Sequence, residues 1–195
     1  MTLNMELHWR AWRAEQNRPA LTGEGGAGLL VVLTGHGKGK STAAFGMAWR
    51  AVTRQIKVGV VQFMGGAHPS IELQTLGRQP LCEFKVFGVG GHQPHPLRAA
   101  DKAQAIAAWL EVKRMLADPA IGMVICDDIF PLIHDQLLDL DVVLAELKRR
   151  RRDVHLILTG RHAPYELMDK ADLVTNMRQM AYPPLTTPAQ AGIEF

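Results

Sequence analysis

The chain has 195 residues, of which 47% are hydrophobic and 21% charged, with a formal net charge of +3. That length suits one domain with a sizeable core, and no apolar run reaches the roughly 18 to 20 residues of a membrane span. The segment from Met1 to Pro19 carries Glu6, Arg10, Arg13, Glu15 and Arg18 and has no continuous apolar stretch, so a secretory signal is not expected. Cys82 and Cys126 lie far apart without metal-ligand spacing, and a reduced, cytoplasmic protein is the simplest reading.

Taken in chain order, Leu29 to Leu33 is an unbroken apolar run, as expected of a strand buried on both faces of a parallel sheet. A Gly-rich turn follows, then a helix over Ser41 to Thr53. Val58 to Phe63 reads as a second strand, Ile71 to Leu76 as a short helix, and Glu83 to Phe87 as a third strand. A long helix is expected from Leu97 to Ala117, before Pro119. Met123 to Cys126 makes a fourth strand that finishes in Asp127 and Asp128. Leu140, Val143, Leu144 and Leu147 have amphipathic spacing within a helix over Asp139 to Arg150. Val154 to Leu158 forms a strand ending in Thr159-Gly160-Arg161, Pro164 to Lys170 a short helix, and Leu173 to Met177 a last strand. Alternation of this kind predicts an α/β fold, with a mostly parallel sheet and helices on both faces. Residues 28–195 are read as one nucleotide-binding domain. Residues 1–27 stand apart as an N-terminal segment with Trp9 and Trp12 and a flexible joint from Gly23 to Gly28. The tail from Tyr182 to Gln190 is rich in Pro and Thr and is expected to be irregular.

Much of the positive charge lies in Lys148-Arg149-Arg150-Arg151-Arg152. Such a run can hold nucleic acid. It also ends a helix, where cations are favoured. No aromatic side chains interleave with it to stack on bases. A solvated helix end is therefore the expectation, and nucleic acid is not an expected partner.

Thr34-Gly35-His36-Gly37-Lys38-Gly39-Lys40-Ser41-Thr42 lies between a strand and a helix, the setting of a phosphate-cradling loop. Glycines let backbone N–H groups converge on an anion, and the helix N-terminus adds partial positive charge. Lys40 is placed to reach phosphate oxygens, and the Ser41 hydroxyl to ligate magnesium. The standard pattern begins with Gly where this chain has Thr34, its first Gly being Gly35. The loop points to a nucleoside triphosphate, ATP with Mg2+. Asp127 and Asp128 end a strand on the edge where open α/β sheets bind ligands; Asp127 is read as a magnesium ligand, Asp128 as a weaker candidate. Arg161 is read equally as a phosphate or substrate contact and as a surface cation. His92, His95, His134 and His162 fall in separate loops without paired ligand spacing, so they are expected to be solvated.

Gly35-His36-Gly37-Lys38-Gly39-Lys40-Ser41-Thr42-Ala43-Ala44-Phe45-Gly46 resembles the GNGKGKTTAAFG loop of the corrinoid adenosyltransferases of phosphate-loop type. The resemblance continues in Val58 to Phe63, Lys113 to Leu116, Asp139 to Leu147, Thr159 to Pro164, Ala171 to Thr175 and Ala189 to Phe195, covering nearly the whole chain from Gly28. It implies a RecA-like phosphate-loop NTPase fold and a transferase in which Co(I) of a corrinoid attacks the ribose 5′-carbon of ATP and triphosphate leaves. Lys40, Asp127 and Asp128 would be the catalytic groups. Gly35 to Thr42 and Arg161 would bind ATP, and Ser41 and Asp127 would hold the metal. The resemblance also implies a homodimer, an electron-donating flavoprotein reductase, and an N-terminal lid, here Met5 to Glu15. On the corrinoid side lie Gly91, His92 and Gln93, in the stretch where the family carries a Gly-Phe-Thr-Trp signature. This chain has Gly91 for the Phe and Gln93 for the Trp. Other departures are His36 for Asn and Asp127-Asp128 for Asp-Glu. Two readings remain beside the transferase: a non-catalytic, ATP-dependent corrinoid carrier or regulator, and a plain phosphate-loop ATPase.

Overall fold

The computed structural model describes residues 27–64, 70–89, 99–181, 188 and 190–193. The proposed lid over 5–15, the residues 91–93, and most of the Pro/Thr-rich tail lie outside them. Six strands form one sheet: β1 (Leu30–Thr34), β2 (Lys57–Met64), β3 (Cys82–Val89), β4 (Ile121–Asp127), β5 (His155–Thr159) and β6 (Leu173–Asn176). Their order is β3-β2-β4-β5-β1-β6, and every pairing is parallel. Among the described residues six helices accompany them: α1 (Lys40–Thr53), α2 (Ile71–Leu76), α3 (Ala99–Ala117), α4 (Phe130–His134), α5 (Leu140–Arg149) and α6 (Tyr165–Lys170).

The unbroken apolar strands follow from having two cores. Strand side chains alternate between faces, so Val31 and Leu33 enter one cluster while Leu30 and Val32 enter the other. On the first face α1 buries Ala44, Phe45, Ala48, Ala51 and Val52, a helical stripe, and α2 adds Leu73 and Leu76. On the second face α3 contributes Ala105, Ala108, Trp109, Val112 and Met115, joined by residues of α4, α5 and α6. Phe45 and Phe63 are among the largest fully buried side chains, each contributing about 1.5–3 kcal/mol relative to exposure.

The expected elements within the described residues are present with ends displaced by at most two residues. Asp139 caps α5 by accepting from the Asp141 N–H at 2.9 Å. The one element not read from the sequence is α4. Five residues with Pro131 in the first turn are too few to show a 3.6-residue period. Among the described residues no helix is long and apolar enough to cross a membrane.

The cationic run from Lys148 to Arg152 departs from the solvated helix end expected of it. Lys148, Arg149 and Arg152 are exposed, but Arg150 and Arg151 are partly buried. The Arg150 guanidinium donates to the carbonyls of Gly28 (3.1 Å), Leu29 (3.5 Å) and Val154. Arg151 donates to the carbonyls of Asp118 and Ile121 and to the Asp153 carboxylate. Both arginines brace the N-terminal ends of β1, β4 and β5, because carbonyls at strand starts need donors.

Candidate active site

Among the described residues, the buried polar side chains are Thr34, Gln62, Asp127 and Thr159. All four stand at or near the C-terminal ends of their strands: β1, β2, β4 and β5. Parallel register aligns them, with Leu33 opposite Thr159 and Gln62 opposite Asp127. A polar row therefore cuts across an otherwise apolar sheet at the edge where α/β proteins bind ligands.

The phosphate loop leaves β1 at this edge. Gly35 takes φ 100°, and a Cβ there would lie 2.3 Å from the Met177 carbonyl oxygen, so no other residue fits. The loop is laced to the chain after β6: the Gly37 N–H donates to the Met177 carbonyl, and the Met177 N–H to that of Thr34, both at 2.8 Å. Thr34, which replaces the first Gly of the standard pattern, ends β1. Its hydroxyl accepts from the Ala163 N–H at 3.2 Å and ties the loop to the turn after β5. Lys40 opens α1, and its Nζ donates to the Gly37 carbonyl at 2.7 Å. Burial lowers the Lys40 ammonium below its ordinary range; Asp128 opposes this, Arg161 adds to it, and Asp127 opposes it.

Asp127 is 2% exposed. Its Oδ1 accepts from the Thr159 hydroxyl at 2.8 Å, and the Ser41 side chain also hydrogen-bonds to it. Burial pushes the Asp127 carboxyl up to about 6, and Asp128 adds to the rise, while the bonds from Ser41 and Thr159 oppose it. The same Thr159 oxygen accepts from the Asp128 N–H at 2.9 Å. Asp128 has φ 56°, a left-handed conformation that turns the chain sharply out of β4. Burial also raises the Asp128 carboxyl, while Lys40 and Arg161 pull it down. Arg161 follows Gly160, where a Cβ would meet Pro131 and Phe130 of α4 at 2.9 to 3.1 Å. Its side chain is exposed and has no hydrogen-bond partner among the described residues.

Tertiary structure thus brings Gly35 to Thr42, Asp127, Asp128 and Arg161 to one edge. His36, Lys38 and Thr42 are exposed on the loop, while Ser41 is turned towards Asp127. Sequence reasoning gave no role to Thr159, Thr34 or Gln62. The available signal was a hydroxyl or amide at the polar end of an apolar strand, an unlikely place for such a group unless it is used. The Gln62 Oε1 is buried and lacks a partner among the described residues. The histidines expected to be scattered are partly gathered as well: His162 contacts both His36 and His134.

A family model for the ATP:corrinoid adenosyltransferases BtuR/CobO/CobP matches residues 26–195. This chain belongs to that family. The adenosyltransferase is 38% identical over 169 residues to the corrinoid adenosyltransferase CobA of Salmonella typhimurium, covering 86% of each chain. To the corrinoid adenosyltransferase of Pseudomonas aeruginosa it is 39% identical over 170 residues, covering 86% of this chain and 84% of the relative. In fold the adenosyltransferase is similar to the flagellar accessory protein FlaH of Methanocaldococcus jannaschii, with a TM-score of 0.51 at 16% identity. That match covers 79% of this chain and 73% of FlaH.

Proposed function

We propose that the protein transfers the 5′-deoxyadenosyl group of ATP to Co(I) of a corrinoid and releases inorganic triphosphate. The observation that carries this reading is a phosphate loop facing a buried carboxylate in a chain matched to the family over residues 26–195. In the reaction the cobalt supplies both electrons of the new Co–C bond, the ribose C5′–O bond breaks, and triphosphate departs with that bond's electron pair. Cobalt(I) carries no proton, so the enzyme needs no general base.

The residues then serve the leaving group. Lys40 exchanges its contact with the Gly37 carbonyl for a phosphate oxygen, and the loop N–H groups take further oxygens. Arg161, exposed beside the loop, adds a cation to the developing charge. The donor set fits Mg2+. Asp127 is buried and already receives the Ser41 hydroxyl, and its high proton affinity marks a place where a cation replaces a proton. Ser41 and Asp127 would hold the ion, which when bound neutralises polyphosphate charge. Thr159 fixes the orientation of Asp127. Asp128 balances the charge of Lys40 and Arg161.

This reading includes residues 1–27 as a lid segment and flexible joint, with Met5 to Glu15 as the lid of a single domain from 28 to 195, and Gly91, His92 and Gln93 on the corrinoid side. It also includes a cytoplasmic homodimer supplied with electrons by a flavoprotein reductase. An anaerobic assay with ATP, Mg2+ and chemically reduced cob(I)alamin tests it. The expected product is adenosylcobalamin, seen in its visible spectrum, with stoichiometric triphosphate. Starting from Co(II), turnover should be much weaker, because Gly91 and Gln93 replace the aromatic pair. Tight corrinoid binding without a Co–C bond would replace the enzyme with a carrier, and phosphate release without corrinoid would make it an ATPase.

A further inference from the structure

Three histidines from three separate elements meet at the rim of the phosphate loop. His36 comes from the loop itself, His134 from the last position of α4, and His162 from the turn after β5. The His36 and His162 rings stand edge to face with centroids 4.9 Å apart and an interplanar angle of 81°. His134 and His162 lie 5.0 Å apart at 32°. His162 is thus the middle member, held by a left-handed backbone (φ 59°) that turns it between the other two.

The charged groups around it have one dominant sign. His162 is faced by His36 from the loop, by His134 and Asp135 from the end of α4, and by its neighbour Arg161. Asp135 is the single carboxylate among them, and its Oδ1 is engaged by His134 Nδ1 at 2.9 Å. Desolvation, then His36, His134 and Arg161, lower the proton affinity of His162, while Asp135 opposes them. A metal is not what this arrangement selects. Among the described residues no group of three or more His, Cys, Asp or Glu has metal-holding geometry. An anion placed among His36, His134 and the exposed Arg161 relieves the repulsion that opposes a proton on His162.

We propose that His36, His134 and His162 form an anion subsite on the rim of the phosphate loop that takes a phosphate group of a polyphosphate chain together with a proton. The proposal rests on the reading of this loop as an ATP and triphosphate site. Its ligand class is a polyphosphate anion, either the chain of the bound nucleotide or free inorganic triphosphate. Without the anion, desolvation and the neighbouring His36, His134 and Arg161 disfavour the charged form of His162. With it, the cluster gains a proton, so binding tightens as pH falls through the histidine range and the proton is released again when triphosphate leaves.

Isothermal titration calorimetry with inorganic triphosphate, at pH 5.5, 6.5 and 8.0 and in buffers of different ionisation enthalpy, tests this on the full chain. Wild type, His36→Asn, His162→Asn and Lys40→Ala are compared, so that the ligand's own protonation cancels. Wild type should gain roughly 10-fold more affinity between pH 8.0 and 5.5 than the histidine variants, the size of a one-unit shift in one imidazole. Wild type should also take up about one proton more than these variants on binding near neutrality. Lys40→Ala should weaken binding at every pH while keeping the slope. Thermal unfolding confirms that each variant is folded; should His162→Asn fail to fold, His36→Asn and His134→Asn carry the same comparison. Equal pH slopes and equal proton uptake in wild type and the folded histidine variants would overturn the subsite and leave the nucleotide reading standing. Absence of triphosphate binding by wild type at all three pH values would overturn both.

Discussion

The two ends of the parallel sheet use the same kinds of residue in opposite ways. At the N-terminal end, Arg150 and Arg151 spend their guanidinium donors on backbone carbonyls of Gly28, Leu29, Val154, Asp118 and Ile121. At the C-terminal end, Lys40 makes one contact to its own loop, Arg161 is exposed, and Asp127 is buried with a carboxyl pushed up to about 6. A cation whose donors are taken by the chain stabilises the fold. A cation left to a loop carbonyl or to solvent is available to a ligand. Charge alone does not separate these cases; the hydrogen-bond partners do.

Substitutions at the two ends should therefore separate activity from stability. The largest effect is expected at Lys40: Lys40→Ala should cost about 10^3-fold in kcat/KM, as for loss of a group that stabilises developing charge. Its unfolding midpoint should stay close to wild type. Steady-state kinetics together with denaturant unfolding check this, and full activity would remove Lys40 from the site. Arg150→Ala should show the converse, losing about 2–4 kcal/mol of stability because strand-start carbonyls lose a charged donor, with kcat/KM unchanged in the folded fraction. A large activity loss without destabilisation would erase the contrast between the two ends.

The smallest effect is at Asp127, and its sign is the informative part. Its folded proton affinity lies above that of the unfolded chain, about 3.9, so between about pH 4 and pH 6 the native state holds a proton that the unfolded state has lost. Stability from this group therefore falls as pH rises through that window. Without nucleotide or Mg2+, Asp127→Asn should be about 1–3 kcal/mol more stable than wild type at pH 7 and equal to it below about pH 4. The same variant should lose activity. Urea unfolding across pH checks the first outcome; a variant less stable than wild type at pH 7 would show that the ionised carboxylate is well accommodated.

Much of this was legible before any coordinates. Leu29 to Leu33, Val58 to Phe63 and Met123 to Cys126, alternating with helical stretches, announce strands buried on both faces, because a parallel sheet covered by helices reads as such runs. The loop from Gly35 to Thr42 announces phosphate binding through its glycines, lysine and hydroxyls. Less legible was α4, since five residues cannot show a helical period. Its position nonetheless matters, because it brings His134 to His162 and packs against Gly160. The run from Lys148 to Arg152 misled for a related reason. Periodicity places it at a helix end, yet whether each guanidinium meets water or a carbonyl depends on strands that lie next to it only after folding.

The sequence by itself determined the α/β alternation, the phosphate loop, the strand-end carboxylates and the family. Each is written in local spacing: apolar runs, glycine placement, a lysine before a hydroxyl. Tertiary structure decided which strand ends are neighbours, and that depends on the order β3-β2-β4-β5-β1-β6. Because β5 lies between β1 and β4, Thr159 stands between the phosphate loop and Asp127 and holds the carboxylate in place. Thr159 lies 32 residues beyond Asp127 and pairs beside β1 only through the sheet order, so no local spacing along the sequence records that contact.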